Sequence, residues 1–492
     1  MQRKFLTNLG LLLTLNLLIK PVWIFAIDRN VQIITGVMDY GFYFEVFNFS
    51  FLFNILLDLG ITNFNNRNIA QNHQLLNKHF SAIVVMKLIL AVFYVVIAFS
   101  VALIWKYSAA QLKLLAWLCL NQVLISFVLY FRSNISGLLM FKTDSFLSVL
   151  DRILMITFCS VLMWGHITST KFRIEWFVYA QTAAYVTTGI VSALIVIKKA
   201  RFRKLNFHWP FFLAIMKQSM PFALMVLLMT FYNRLDPVML GKLLPGNLGD
   251  KQIGIYASGF RLLDAANMIA YLFGVLLIPV FSRMIKHKQS VEKMVKLSFT
   301  LLITVAIIVA IGSVFYSYEL MDLLYNEHIL ESARVYRLLM GGFVAVSTTY
   351  IFGTLLTANG NLKELTIISG CGLLINFLIN LFLIPKLEAV GSAYASLITQ
   401  FFIAIAQVII VQKVFKFKVN YRYLLTLVLF ILGVVIFNII SRQLFSLWHG
   451  VIPQAKIWFP NFILMILFSF GLAGVLKLLN IRSLAGILRE DQ

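Results

Sequence analysis

The sequence predicts an all-α polytopic membrane protein of about fourteen transmembrane helices, with two six-helix lobes followed by two more helices at the C-terminus. Three observations carry this. Of its 492 residues, 61% are hydrophobic and only 12% charged, where soluble domains run to about 45–50% and about 25%. Apolar runs near the ~20 residues that a bilayer requires recur from end to end. The strands of a membrane barrel would alternate with period two over about ten residues, and these runs do not.

The first run, 5–29, begins after "MQRK" and passes signal-peptide length without a small-residue cleavage site, so it reads as a retained helix. Runs at 41–65, 81–105, 111–131, 143–165 and 174–197 complete an N-terminal lobe over residues 1–200. A second lobe, 201–415, holds 211–240, 253–281, 294–317, 334–357, 364–385 and 388–412. The runs 422–441 and 457–479 are almost uniformly apolar and form an added pair, with a short tail, within 416–492.

The charge of +23 suggests nucleic-acid binding only until its placement is read. With a cytoplasmic N-terminus, "KKARFRK", "SRMIKHKQSVEKMVK" and "QKVFKFKVNYR" all fall in inner loops. About 25 Lys and Arg then lie inside against about 12 outside, as the positive-inside rule requires. Both termini are expected in the cytoplasm. The outer loops are too short for a folded domain of the kind that sugar ligases and polymerases display. Cys119, Cys159 and Cys371 sit at irregular spacing in apolar runs and read as core fillers. No P-loop, metal-ligand spacing or catalytic constellation is present, so the sequence predicts neither an enzyme nor a cofactor.

An internal repeat is visible. "AIDRNVQIITGVMDYGFYFEVFNFSFLFNILLDLG" around Asp28 matches "NRLDPVMLGKLLPGNLGDKQIGIYASGFRLLDAANM" around Asp236. Each has an acid near the outer end of a span, a short loop, and Gly-x-Tyr opening the next span (Gly41/Tyr43 and Gly254/Tyr256). Each pair of spans ends in an inner arginine, Arg67 or Arg283. Pro21 interrupts the first span, and Pro221 and Pro237 its partner, the seventh. A proline removes a backbone bond and kinks a helix, so the leading helix of each half reads as a bending element.

The six-plus-six arrangement, the "DYGFY…LLDLGITNFNNRNIAQ" run and "KQSMPFALMVLLMTFYNRLDPVML" resemble the Wzx-type oligosaccharide flippases. These form part of the polysaccharide branch of the multidrug/oligosaccharidyl-lipid/polysaccharide (MOP) exporter superfamily. The resemblance implies a MATE-like pair of lobes around a cavity that opens alternately to each side of the bacterial cytoplasmic membrane. It implies a polyprenyl-pyrophosphate oligosaccharide as substrate, and polysaccharide polymerase or ligase machinery as partner. In fourteen-helix relatives the last two helices shape a groove for the lipid tail. Related peptidoglycan-precursor flippases carry Arg-Asp in the first helix and an arginine in the second. Here the order is Asp28-Arg29 and the second span offers Asp58, which disfavours that substrate.

Depth sorts the charges, because an ion at bilayer depth costs roughly 2.5–3.5 kcal/mol on insertion scales. Lys20 lies near the middle of its span, with Asn16 one turn before and Asp28 two turns beyond on one face. Arg152, beside Asp151, and Arg261, with Asp264 at i+3, are comparably deep. Lys20, Arg152 and Arg261 fit the demand of a diphosphate for cations in an aqueous cavity, and the acids beside them could compete for those cations at release. Asp151–Arg152 and Arg261–Asp264 read equally as ion pairs that lock helices together. Asp28, Arg29, Arg234 and Asp236 are candidates for an outer gate or sugar contact, or lie in headgroups. Ser50, Asn54 and Asp58 make an i, i+4, i+8 stripe expected to line the cavity or to bond neighbouring helices. Lys87 is expected to snorkel from the third span, and Glu45 is a candidate protonatable coupling group. The competing functions are a multidrug exporter of the same superfamily, which would favour an acidic cavity, and a membrane-bound sugar polymerase or ligase.

Overall fold

The computed structural model describes residues 14–16, 18–62, 65–66, 69, 72–165, 170–200, 209–418, 420–447 and 454–479. Arg67, one of the paired arginines of the repeat, lies outside them. Among the described residues every regular element is helical, and eleven helices are long and apolar enough to cross a membrane. Two compact units partition the chain: Met1–Ala257 with Asn380–Glu388, and Ser258–Ile379 with Ala389–Gln492.

The first helix, α1, is irregular where Pro21 predicts it. Immediately after Pro21 the backbone winds as a π-helix over Trp23–Asp28 and returns to α-geometry over Arg29–Thr35. Loss of one N–H, with the local crowding of the ring, favours such widened turns, which recur at functional sites. Asp28 and Arg29 therefore do not end the helix; it runs on to Thr35. Gly36 then turns the chain at φ 86°, ψ 160°, a region open only to glycine.

The second helix, α2, spans Val37–Leu52 and ends there, short of the expected span to residue 65. A 3-10 turn follows at Asn54–Leu57, and Leu59 (φ 45°) and Gly60 (φ 83°) adopt left-handed backbone. The remaining helices of the first unit are α3 (Leu75–Ile104), α4 (Ala109–Gly137), α5 (Phe141–Trp164), α6 (Ile174–Ala200) and α7 (Trp209–Leu243). A capping box starts α4. Ser108 Oγ accepts from the Gln111 amide at 3.2 Å, and Gln111 Oε1 accepts from the Ser108 amide at 2.9 Å. α4 and α5 pack along α6, and α2 lies between α4 and α7. Leu76, Phe80, Ile83, Tyr130, Leu147 and Val196 help fill the core.

Both units share α8 (Gly246–Lys286). The second adds α9 (Glu292–Phe315), a short α10 (Ser317–Leu324), α11 (Ile329–Asn359), α12 (Leu362–Phe415, except Asn380–Glu388, which belongs to the first unit), α13 (Tyr421–Leu447) and α14 (Gln454–Val475). At 54 residues, α12 would be roughly 80 Å long if straight, far beyond a ~30 Å hydrocarbon core. Its break lies at Glu388 (φ 53°, ψ −132°), three residues after Pro385, between the eleventh and twelfth expected spans. α13 and α14 pack on each other and on α9. Leu425, Val428, Leu432 and Ile436 stay exposed along α13, as helices facing lipid do.

Candidate functional site

Within the first unit, α1 and α5 are held in register by polar contacts one turn apart. Asn16 Nδ2 donates to Ser148 Oγ at 3.1 Å. One turn on along each helix stand Lys20 and Arg152, and the Arg152 guanidinium lies 5.6 Å from the centre of the Trp23 ring. Trp23, placed by the π-turn, stacks on Phe177 of α6 at 5.7 Å with the rings 8° from parallel. Asp144, Ser148, Asp151 and Met155 follow at helical spacing along one face of α5.

The electrostatics of this corner are lopsided. Arg152 Nε is 3.7 Å from Asp151 Oδ2, and its Nη1 is 3.5 Å from Met155 Sδ. Lys20 is half-buried, feels the charges of Arg152, Asp151 and Arg132, and has no hydrogen-bond or ion-pair partner among the described residues. Arg132 of α4 pairs with Asp144 at 2.9 Å. Sequence reasoning missed Arg132, which sits at a span end where headgroup contact is the ordinary expectation. Its helical neighbours Asn134 and Ser133, both buried and bonded to Asn65, were the available signal.

The repeat forms a second polar layer. Asp28 and Asp236 are both buried, and each lies seven residues before its helix ends. The Tyr40 hydroxyl donates to Asp28 Oδ2 at 2.9 Å, and the Tyr256 hydroxyl donates to Asp236 Oδ2 at 2.7 Å. Asn380 Nδ2 donates to Asp236 Oδ1 at 2.7 Å. The phenol that meets Asp28 is therefore Tyr40, one turn before the Tyr43 that the sequence match puts opposite Tyr256. Tyr43 instead accepts from Gln181 Nε2 at 3.1 Å. Arg29 is half-buried. Arg234 reaches α2, with Nη1 3.5 Å from Asn48 Oδ1 and its guanidinium 5.2 Å from the centre of Phe51.

The break after α2 changes the expected polar stripe. Ser50, Asn54 and Asp58 do not share one α-helical face, because the helix stops between the first and second of them. Ser50 Oγ donates to the Phe47 carbonyl, Asn54 Nδ2 donates to Gln122 Oε1 at 2.6 Å, and Asp58 receives Lys87 at 2.9 Å. Lys87 does not snorkel. It is 1% exposed, and its ammonium also donates to the Leu57 carbonyl at 3.1 Å, a group freed by the break. Ser126 Oγ donates to the same carbonyl at 3.1 Å. Irregular backbone at membrane depth requires such partners.

Glu45 is buried in α2, where Gln111 Nε2 donates to its Oε2 at 3.2 Å. Its carboxyl covers Gly241 of α7 so closely that a Cβ there would lie 2.4 Å from Glu45 Cδ. The neighbouring Lys242 donates to the Trp105 carbonyl at 2.7 Å and lies 4.2 Å from the centre of the Tyr107 ring. Arg261 and Asp264 belong to the second unit, one turn apart on α8 and both half-buried. Among the described residues no cluster of His, Cys, Asp and Glu is suited to hold a metal ion.

Residues 8–285 match the family described as polysaccharide biosynthesis protein, and residues 221–382 match the MatE family. A comparison with curated proteins gave no match. Among solved structures the chain is similar to the lipid II flippase MurJ in an inward closed conformation. That alignment has 13% identity and a TM-score of 0.61, and covers 98% of each chain. An inward-facing multidrug resistance MATE transporter of the MOP superfamily aligns with 14% identity and a TM-score of 0.59, over 82% of this chain and 94% of that one. A MOP superfamily transporter from Pyrococcus furiosus, described as having a binding pocket of reverse polarity that suggests a different function, aligns at 14% identity and a TM-score of 0.59. It covers 83% of this chain and 95% of that one. With more than half of its length matched by one family model and its fold shared along nearly the whole chain, this protein belongs to the polysaccharide biosynthesis protein family.

Proposed function

We propose that this protein is a Wzx-type flippase that carries a polyprenyl-pyrophosphate-linked oligosaccharide, the repeat unit of a surface polysaccharide, from the cytoplasmic to the outer leaflet of a bacterial cytoplasmic membrane. The observation that carries the reading is Lys20: an ammonium on a membrane helix, without an ion-pair partner among the described residues, one turn beyond the Asn16–Ser148 contact that joins its helix to the one carrying Arg152. A cation at that depth is costly unless an anion or water visits it. A diphosphate supplies such an anion at the junction of sugar and lipid, and guanidinium groups match its oxygens in geometry and charge. Arg261, in the second unit, stays a separate candidate ligand from the sequence. Family membership supports a saccharide product, and the solved MurJ structure is named for a lipid-linked substrate.

Depleting the protein in its host tests this. Accumulation of a polyprenyl-pyrophosphate oligosaccharide in the inner leaflet, with loss of surface polysaccharide, is the expected result. Accumulation of the peptidoglycan lipid precursor would move the substrate to that class. Unchanged lipid-linked sugars with new sensitivity to cationic compounds would make the protein a drug exporter.

A further inference from the structure

We infer that the Arg132–Asp144 pair is an exchangeable latch of the anion site, in which the Asp144 carboxylate stands in for the substrate phosphate and is displaced from Arg132 when the phosphate arrives. The inference rests on the anion-site reading of Lys20 and Arg152.

The geometry gives Asp144 a second electrostatic home, which a purely structural pair does not need. Asp144 is in the first turn of α5, where the exposed amides of a helix start stabilise a carboxylate on their own. Arg132 lies before the last turn of α4, which terminates at Gly137. Separating the two therefore leaves the carboxylate stabilised. Both side chains keep partial contact with solvent, at 20% and 16% exposure, unlike Lys87, whose ammonium is sealed against Asp58.

Arg132 also contributes to the field at Lys20. In the observed state Asp144 neutralises Arg132, and Asp151 lies beside Arg152, its carboxylate accepting the Arg152 backbone amide at 2.8 Å. Lys20 has no ion-pair partner among the described residues. A diphosphate bringing more than one negative charge has use for a second cation, and Arg132 becomes available once it releases Asp144. On departure of the phosphate, Asp144 recaptures Arg132 without a new anion entering. The site is thereby spared from holding both Lys20 and Arg132 unneutralised in its empty state, a condition that would bind the product too tightly to release it.

The two members of the pair should then act in opposite directions. The test is binding of inorganic pyrophosphate by isothermal calorimetry to the full-length protein in nanodiscs. Asp144→Asn removes the competitor, and binding should tighten by roughly tenfold, the equivalent of about 1.4 kcal/mol. Arg132→Gln removes a ligand, and binding should weaken by a similar factor. Arg132→Lys, which keeps the pair and the fold, should lie between wild type and Arg132→Gln. A structural ion pair would give both neutral variants the same direction of change, and that outcome, or no change in either, overturns the latch. Wild-type protein that binds no pyrophosphate overturns both the latch and the anion site beneath it.

Discussion

Gly41 and Gly254 meet through the same contact read in both directions. A Cβ on Gly41 would lie 1.9 Å from the Asp250 carbonyl oxygen, and one on Gly254 would lie 2.1 Å from that of Val37. Each glycine thus faces the carbonyl four residues before the other, as two-fold-related helices do, so the sequence repeat is a spatial one at this point. Gln32 Nε2 adds a hydrogen bond to the Gly254 carbonyl at 3.0 Å.

Neither position has room for a methyl group, and the obstructing atoms are backbone. Gly41→Ala and Gly254→Ala should each destabilise the protein by about 1–3 kcal/mol, as overpacking does. Gly471→Ala, where nothing lies within 4 Å, should stay within about 0.5 kcal/mol of wild type. Thermal unfolding in detergent compares the three.

The tyrosine–aspartate pairs should behave as coupled units. Tyr256→Phe removes one of the hydrogen bonds to a buried carboxylate and should cost about 1–3 kcal/mol. Adding Asp236→Asn should cost less in the Tyr256→Phe background than in wild type, a deviation that a double-mutant cycle reads directly. Tyr40→Phe with Asp28→Asn should repeat the pattern, whereas Tyr43→Phe should leave Asp28→Asn unaffected.

Lys87→Met strands Asp58 beside a broken helix and should cost about 3–5 kcal/mol. The double variant Lys87→Met/Asp58→Leu removes both charges and should recover much of that loss. Unfolding midpoints check the order, and a double variant no better than the single would show that the Leu57 carbonyl, not the ion pair, depends on Lys87.

Lys20→Ala should abolish export of the lipid-linked saccharide while leaving the protein inserted and folded, because the side chain has no hydrogen-bond or ion-pair partner among the described residues to lose. Surface polysaccharide in a complemented host reads this. Full export by the alanine variant at normal protein level would remove Lys20 from the anion site.

The all-helical membrane class was legible because hydropathy acts over ~20 residues and tolerates local error. The repeat was legible through its glycines, whose close approach leaves a signal in residue type. Contact register was not. Tyr40 and Tyr43 are equally good phenols, and only the turn at Gly36 decides which one reaches Asp28. The break after Leu52 was hidden because "FLFNILLDLG" keeps a helical polar spacing through Ser50, Asn54 and Asp58. What interrupts the helix is tertiary: Lys87 and Ser126, distant in sequence, satisfy a carbonyl that a helix would otherwise have to bond. Burial of Lys87 was invisible for the same reason, since a lysine near a span end has the reach to snorkel.

The Lys87–Asp58 pair also bears on how the chain enters the bilayer. Its members are 29 residues apart and lie on segments made one after the other. Neither need cross the hydrocarbon alone at roughly 2.5–3.5 kcal/mol, because the third segment delivers its ammonium to a carboxylate already waiting. The second and third segments are thus suited to leave the insertion machinery as one hairpin. Asp236, by contrast, must wait through 144 residues of synthesis before Asn380 arrives, with Tyr256 as its nearer companion until then.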